Sequence, residues 1–385
     1  MKKRITALLL VLILCLGLLT GCGEQTDDGT QDDTTTTGDT VTGVTIDAAA
    51  AYAKNDPAAV VMTVNGSEVP WDELFYRLYS VVYQLEYYGG GSVVWNDPCI
   101  FNSAYTNGEY AWLVAVDGCI QYHMLEKHFD EMNITLDAED EATLAEILAK
   151  DMVGMCGENA TEEDFNAALG DLYLTRETYD FMNKMGVLYE NAYEKVCGMN
   201  GENLEEADIQ ACIEDNQYRT VKHILLMTTD AEGNPLPEDE IAVKRDIAEQ
   251  VLSDLQAVSG DTDALLKLFD EKMHEYSEDT GLPYYPDGYT FGPGKMVEEF
   301  EAASDELKDY EMSGIVESTF GYHILLRLPT TRDSVVEYVD GTNDYTIGTY
   351  AAASIFGSMM NAWTEEAEVK WEPAFETLTA EMVFA

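Results

Sequence analysis

The chain has 385 residues, of which 46% are hydrophobic, and it carries 73 acidic against 21 basic residues, a formal net charge of −52. A chain of this length and hydrophobicity can bury one large core or two ordinary ones. Its strongly negative field repels nucleic acid and anionic polymers, so neither is expected as a partner.

The first 21 residues have the pattern of an export signal. Basic residues at positions 2–4 precede an apolar run over residues 5–19, which is shorter than a membrane-spanning helix. The run ends in Leu19-Thr20-Gly21-Cys22, which resembles the bacterial lipobox. The resemblance implies a signal peptide over residues 1–21, a lipid on Cys22 and a location on the extracytoplasmic face of the cell membrane. An ordinary signal peptide that contains a cysteine is the alternative.

Residues 22–56 are rich in Asp, Thr and Gly and show no apolar periodicity. A segment of this composition cannot bury enough apolar surface to order itself. We therefore expect a disordered acidic tether over residues 22–56.

The cysteines beyond Cys22 show no paired spacing and are odd in number: Cys99, Cys119, Cys156, Cys197 and Cys212. Neither a disulfide framework nor a zinc motif follows from them. We expect them to be small buried apolar residues, and the sequence leaves their redox state open.

Residues 57–216 are predicted to form a helical domain. It opens with the β-branched run Val60–Val64 and the hairpin turn signal Asn65-Gly66, followed by a helix from Trp71 whose apolar residues recur every three or four positions. Helical periodicity continues in five further segments: 110–132, 139–155, 162–169, 175–197 and 204–215.

Residues 217–330 have an α+β pattern. A strand is predicted at 220–227, helices at 238–258 and 263–276, and a turn leading into a strand at 314–328. Helical spacing then returns near residues 347–363. Because a lone amphipathic helix is marginal in water, we expect residues 331–385 to pack back on the helical domain. The α+β unit would then be an insertion.

Four segments of this unit together resemble the parvulin-type prolyl isomerases. They are listed in chain order: Val221–Leu226, Tyr276–Asp279, Phe291–Phe300 and Phe320–Leu326. The resemblance covers about residues 218–329. Residues 60–73 and 205–219 look like the helical domain of PrsA- and SurA-type foldases. The resemblance implies an α+β protein in which a mostly helical chaperone domain carries an inserted four-stranded antiparallel sheet flanked by helices.

The resemblance also implies an activity, peptidyl-prolyl cis-trans isomerisation. A prolyl bond isomerises over a barrier of about 18–20 kcal/mol. An apolar site lowers this barrier because it favours the twisted, less polar amide of the transition state, and no nucleophile is needed. Met296 and Phe300 match the ring-binding Met and Phe of parvulins, and Phe291 adds to this pocket. We expect Met296 and Phe300 to share one face of a short helix that starts after Gly294. By pattern alone, such a pair is more often core packing.

His223 and His323 are predicted on neighbouring strands, where parvulins have a hydrogen-bonded histidine pair beneath the substrate. Their expected role is to support the site, not to act as general bases. Asp279 stands where parvulins have Cys or Asp, and Ser318 matches a hydroxyl close to the histidines. We predict these four as the catalytic group, with no cofactor and no metal.

One segment departs from the parvulin pattern. Where parvulins have Gly-Asp-Leu-Gly, this chain has Pro286-Asp287-Gly288-Tyr289, so Gly288 replaces a leucine of the pocket wall. Two outcomes are open: Tyr289 fills the space, or the pocket is wider and weaker.

The expected function is a membrane-anchored extracytoplasmic foldase, both isomerase and chaperone for exported proteins. Its expected partners are unfolded or partly folded exported proteins and the membrane, through the lipid on Cys22; a homodimer is left open. A non-catalytic chaperone with a degenerate parvulin domain is the first alternative. A solute-binding lipoprotein is the second, although its two-lobed α/β pattern is not visible in the sequence.

Overall fold

The computed structural model describes residues 44–341 and 344–385. The predicted signal peptide (residues 1–21), the lipidation at Cys22 and most of the tether lie outside the described residues. The described chain divides into two compact units, one ending at Glu194 and completed by Gly357–Ala385, the other formed by Lys195–Phe356. The predicted domain limits at residues 57, 217 and 331 stay predictions.

The helices among the described residues are α1 (Ala48–Tyr52), α2 (Trp71–Tyr88), α3 (Asn107–Glu131), α4 (Ala138–Cys156), α5 (Glu162–Asp171), α6 (Arg176–Cys197), α7 (Glu206–Asp215), α8 (Glu238–Gln256), α9 (Thr262–Tyr276), α10 (Glu298–Asp305), α11 (Ile347–Glu365) and α12 (Ala380–Phe384). The strands are β1 (Val60–Val64), β2 (Ser67–Pro70), β3 (Arg219–Met227), β4 (Tyr289–Phe291), β5 (Met312–Glu317), β6 (Gly321–Leu328), β7 (Val335–Glu337), β8 (Tyr345–Thr346) and β9 (Val369–Trp371). The predicted α+β class is confirmed.

The first unit is built on α2. Its apolar residues Trp71, Leu74 and Phe75 are fully buried, and α3 packs against this face. The sheet beside it has the order β2-β1-β9 and is antiparallel. Asn65 and Gly66 adopt positive φ angles of 50° and 91°, as a tight two-residue hairpin requires, which confirms the predicted turn.

Residues 44–56 belong to this unit, in contrast to the disordered tether expected from their composition. Val44 pairs with Val93, and Ala48 and Ala51 of α1 are buried in the core. The ring of Tyr52 packs on that of Phe75, with centroids 5.1 Å apart. Small alanines give little periodic signal, which is why the sequence did not indicate this contact.

The second unit contains an antiparallel sheet of order β4-β3-β6-β5, which confirms the predicted four-stranded sheet. One face, with Ile224 and Ile324, packs on α8 and α9, where Phe269 is fully buried. On the opposite face, Val221 and Leu325 pack against Phe300 of α10. Because side chains alternate along a strand, β3 and β6 have the helix-packed core on one face and the Val221–Leu325–Phe300 cluster on the other.

Replacing Phe269 by alanine is expected to destabilise the second unit by about 3–5 kcal/mol, because it leaves a cavity under the sheet. The measurement is the free energy of unfolding in urea. Val243→Ala on the exposed face of α8 is the matched control and should change it by less than about 0.5 kcal/mol. Equal effects of the two changes would contradict the core assignment.

Candidate active site

Two buried histidines lie next to each other on the central strands. In the β3–β6 register, His223 is opposite Leu325 and His323 is opposite Leu225, so both imidazoles point to the same face of the sheet. Their Nδ1 atoms are 3.2 Å apart. The structure thus brings together the two histidines that the sequence singled out.

A hydroxyl and a carboxylate complete this array at its two ends. Ser318 Oγ lies 2.7 Å from His323 Nε2, and His223 Nε2 lies 3.1 Å from Asp279 Oδ2. One proton arrangement satisfies every polar atom with both rings neutral. Ser318 donates to His323, His323 Nδ1–H donates to His223 Nδ1, and His223 Nε2–H donates to Asp279.

Asp279 is positioned by the segment that follows α9. The backbone N–H of Glu278 donates to the carbonyl oxygen of Leu225 (2.8 Å), and the Ser277 hydroxyl accepts from the N–H of Leu225 (3.1 Å). These bonds hold the segment along β3 and place Asp279 beside His223.

The electrostatics of the array oppose charge on the histidines and favour it on the carboxylate. Burial alone would raise the pKa of Asp279, but hydrogen bonds from His223, Tyr289 and the Gly281 N–H outweigh it and lower the pKa to about 2. Burial, and then the neighbouring His223 ring, lower the pKa of His323 to about 4. At neutral pH the array therefore contains an ionised Asp279 and a neutral His323.

The Tyr289 side chain lies beside Asp279 and His223. Its hydroxyl donates to Asp279 Oδ2 (2.7 Å), and its ring lies 5.6 Å from that of His223. A Cβ at Gly281 would collide with this hydroxyl, so glycine at this position leaves the room in which the tyrosine reaches Asp279. Gly288 has φ +100° and no room for a Cβ beside the carbonyl of Val221, so its backbone conformation requires glycine.

An apolar floor lies beside the histidines. The Phe300 ring stands edge-on to His223 (5.2 Å between centroids) and His323 (5.6 Å), and it packs on Phe291 (5.8 Å). Met296 is half-buried and packs in the same cluster. Met296, Phe300 and Phe291, the three predicted ring-binding residues, therefore lie together beside the array.

The expectation that Met296 and Phe300 share a helix face is wrong, because α10 begins only at Glu298. The carboxylate of Glu301 accepts the backbone N–H groups of Gly294, Lys295 and Met296 at 2.8–3.0 Å. These bonds hold residues 294–296 as a loop before the helix. Glu301, Tyr289 as an Asp279 partner and Gly281 were missed as site residues, since their roles depend on contacts between distant segments.

The first unit contains a separate polar cleft of about 420 Å³. The fully buried Glu73 accepts a hydrogen bond from Arg77 and lies 3.0 Å from His123 Nε2, while Ser67 Oγ lies 2.8 Å from His123 Nδ1. Burial would raise the pKa of Glu73, but His123 and Arg77 outweigh it and lower it. His123 lies about fifty positions from Ser67, Glu73 and Arg77 in the sequence, and no motif indicated this group.

Among residues 44–341 and 344–385, no three His, Cys, Asp or Glu side chains come together in a way that could hold a metal ion. No helix in the same ranges is both long enough and apolar enough to cross a bilayer. The five cysteines from Cys99 onward are free; three of them are buried, and Cys156 and Cys212 are half-buried.

The family description "Rotamase: PPIC-type PPIASE domain" matches residues 223–328. This segment contains both histidines, Asp279, Ser318 and the apolar floor. The fold and the array define the second unit as the carrier of a parvulin-type rotamase domain, and the resemblance seen in the sequence is confirmed.

Curated relatives of similar sequence include two foldases and a chaperone. Foldase protein PrsA of Halalkalibacterium halodurans is 28% identical over 58% of this chain and 60% of its own length. Foldase protein PrsA 1 of Bacillus cereus is 51% identical over 15% of this chain and 21% of its own length. Chaperone SurA of Bordetella avium is 38% identical over 18% of this chain and 14% of its own. The chain thus spans less than two thirds of these relatives.

Among solved structures, PrsA from Bacillus cereus aligns with 83% of this chain and 97% of its own, at 18% identity and a TM-score of 0.29. PrsA from Bacillus subtilis aligns with 81% of this chain and 90% of its own, at 18% identity and a TM-score of 0.23. The curated relatives to which this chain is similar thus include PrsA foldases from two organisms.

Tyr289→Phe should raise the pKa of Asp279 by about one to two units, because it removes one charge-assisted hydrogen bond and keeps the ring. The measurement is a carboxyl ¹³C NMR titration. Tyr284→Phe, an exposed neighbour, should leave the Asp279 titration unchanged. An unchanged titration in Tyr289→Phe would show that the hydroxyl does not hold the carboxylate.

The pKa of His323 predicts a pH dependence of stability. Its folded value of about 4 lies below the ordinary 6.5, so the unfolded chain takes up the proton first as the pH falls. The neutral His323 therefore contributes to the free energy of unfolding in full above about pH 6.5. This contribution, roughly 3 kcal/mol in total, is lost as the pH falls to about 4. Between pH 7 and pH 4, the free energy of unfolding measured in urea should fall less in His323→Gln than in the wild type. An equal loss would contradict the assignment.

Proposed function

We propose that the chain is a membrane-anchored extracytoplasmic foldase whose second unit isomerises prolyl peptide bonds in exported proteins. The observation that carries the proposal is the apolar floor of Met296, Phe291 and Phe300 directly beside the His223–His323–Asp279 array. A pyrrolidine ring needs an apolar seat of this kind, and the polar array lies where the adjoining amide would rotate.

The rate enhancement is proposed to come from the environment of the amide. A twisted prolyl amide has lost resonance and is less polar than the planar one, so a site with low water content lowers the barrier. Asp279 remains charged and is held by three donors, which fixes the local field without a proton transfer. His223, His323 and Ser318 keep its position through their hydrogen bonds.

The chaperone role is assigned to the first unit because residues 60–73 look like the helical domain of PrsA- and SurA-type foldases. Unfolded or partly folded exported proteins are the proposed partners. The lipid on Cys22, the location at the extracytoplasmic face of the membrane and a homodimer through the helical unit belong to the same proposal. The lipobox resemblance supports the lipid and the membrane location, and the homodimer is left open.

A non-catalytic chaperone is the rival that one observation favours, since Gly288 stands where the parvulin pattern has a leucine of the pocket wall. The ring of Tyr289 beside His223 supplies an aromatic wall in exchange, which supports a working site. The solute-binding alternative has no such support. The strand pairs among residues 44–341 and 344–385 are antiparallel, unlike a two-lobed α/β protein.

The full mature chain should accelerate cis-trans exchange of a proline-containing peptide, measured by NMR exchange spectroscopy. Met296→Ala should reduce kcat/KM about tenfold or more through lost apolar contact, and Asp279→Ala should reduce it by a similar factor. Val243→Ala should retain the wild-type rate. A wild type that suppresses client aggregation but leaves the exchange rate unchanged would establish the non-catalytic rival.

A further inference from the structure

Four tyrosines form a continuous aromatic strip that begins at Asp279 and runs to the surface of the second unit. The Tyr289 ring stacks on that of Tyr285, with centroids 4.6 Å apart. Tyr285 contacts Tyr338 (6.3 Å), and Tyr338 contacts Tyr284 (5.1 Å). We call Tyr284, Tyr285, Tyr289 and Tyr338 the tyrosine strip.

The strip is fixed by the backbone at two places. The N–H of Tyr338 donates to the hydroxyl oxygen of Tyr285 (3.2 Å), and β7, which precedes Tyr338, contacts β4, which begins with Tyr289. Tyr338 lies beyond residue 328, where the match to the rotamase family ends. Tyr338 therefore belongs to an element outside the matched rotamase segment, next to β7, which packs at the edge strand β4.

The exposure of the strip increases away from the site. Tyr289 and Tyr285 are half-buried, whereas Tyr284 is 53% exposed. An aromatic side chain held at the surface by ring contacts loses little conformational entropy when a ligand covers it. The tyrosine strip runs from Asp279 to an exposed ring. It can therefore contact the residue of a bound peptide that lies next to the proline.

We propose that the tyrosine strip is a substrate subsite that binds an aromatic or large aliphatic residue flanking the target proline. The inference rests on the proposed isomerase function, because it names the peptide sequences which that site prefers. Ring-on-ring contact supplies the affinity, while the hydroxyls of Tyr284 and Tyr338 remain suited to water.

The test compares two peptides of equal length, in which phenylalanine or alanine flanks the proline, with the full mature chain as enzyme. Wild type should prefer the phenylalanine peptide by about three- to tenfold in kcat/KM, through a lower KM at similar kcat. Tyr284→Asn and Tyr338→Asn should each reduce this preference and leave the alanine peptide within about twofold of wild type.

Tyr310→Asn is the matched control, since Tyr310 is 42% exposed and precedes β5, at the opposite edge of the sheet from β4. It has φ +65°, which asparagine tolerates. This variant should keep the wild-type preference. Strip variants that retain the preference, or that slow both peptides equally with a lower Tm, would overturn the subsite and assign the strip to packing.

The outcomes also separate this inference from the proposed function. If the wild type accelerates cis-trans exchange in neither peptide, the isomerase proposal fails. The subsite is then tested by the affinity of the two fluorescently labelled peptides for the full mature chain. Tighter binding of the phenylalanine peptide that is lost in Tyr338→Asn would still support the strip. Equal affinity for the two peptides would overturn it.

Discussion

The site depends on one constraint: two imidazoles are buried on neighbouring strands, and neither can be left without a hydrogen-bond partner. The contact between His223 and His323 satisfies only one nitrogen of each ring, so a hydroxyl and a carboxylate must supply the others. This requirement fixes Ser318 in the β5–β6 turn and Asp279 after α9. The β3–β6 register and these hydrogen bonds thus bring three segments, distant in sequence, to one face of the sheet: that of His223, that of Asp279, and Ser318–His323.

Charge is concentrated at one end of this array. Asp279 stays ionised because three donors offset its burial, and His323 stays neutral because its burial and its neighbour disfavour a proton. A site of this kind can orient an amide and shape the field around it without exchanging protons. That property fits a reaction in which no covalent bond is broken, and it agrees with a supporting role for the histidines.

Much of the fold could be predicted from the sequence, because hydrophobic periodicity and turn signals directly reflect local structure. The hairpin at Asn65-Gly66, the helix from Trp71 and strand β3 are examples. Met296 was placed correctly in the cluster but wrongly on a helix, since the loop depends on Glu301, whose carboxylate could not be assigned partners in advance. The packing of residues 44–56, and the space that Gly281 leaves for the Tyr289 hydroxyl, are long-range steric facts that no local pattern encodes.

If this chain is an isomerase, proline binds on the face of the sheet that carries the two histidines. This can be measured by NMR of the full mature chain with ¹³C-methyl methionine, titrated with a proline-containing peptide. The Met296 methyl resonance should shift and broaden, because this methyl lies on the floor beside Phe300, while that of the buried Met62 in the first unit should stay in place. Peptide binding that leaves the Met296 resonance unchanged would show that proline binds elsewhere.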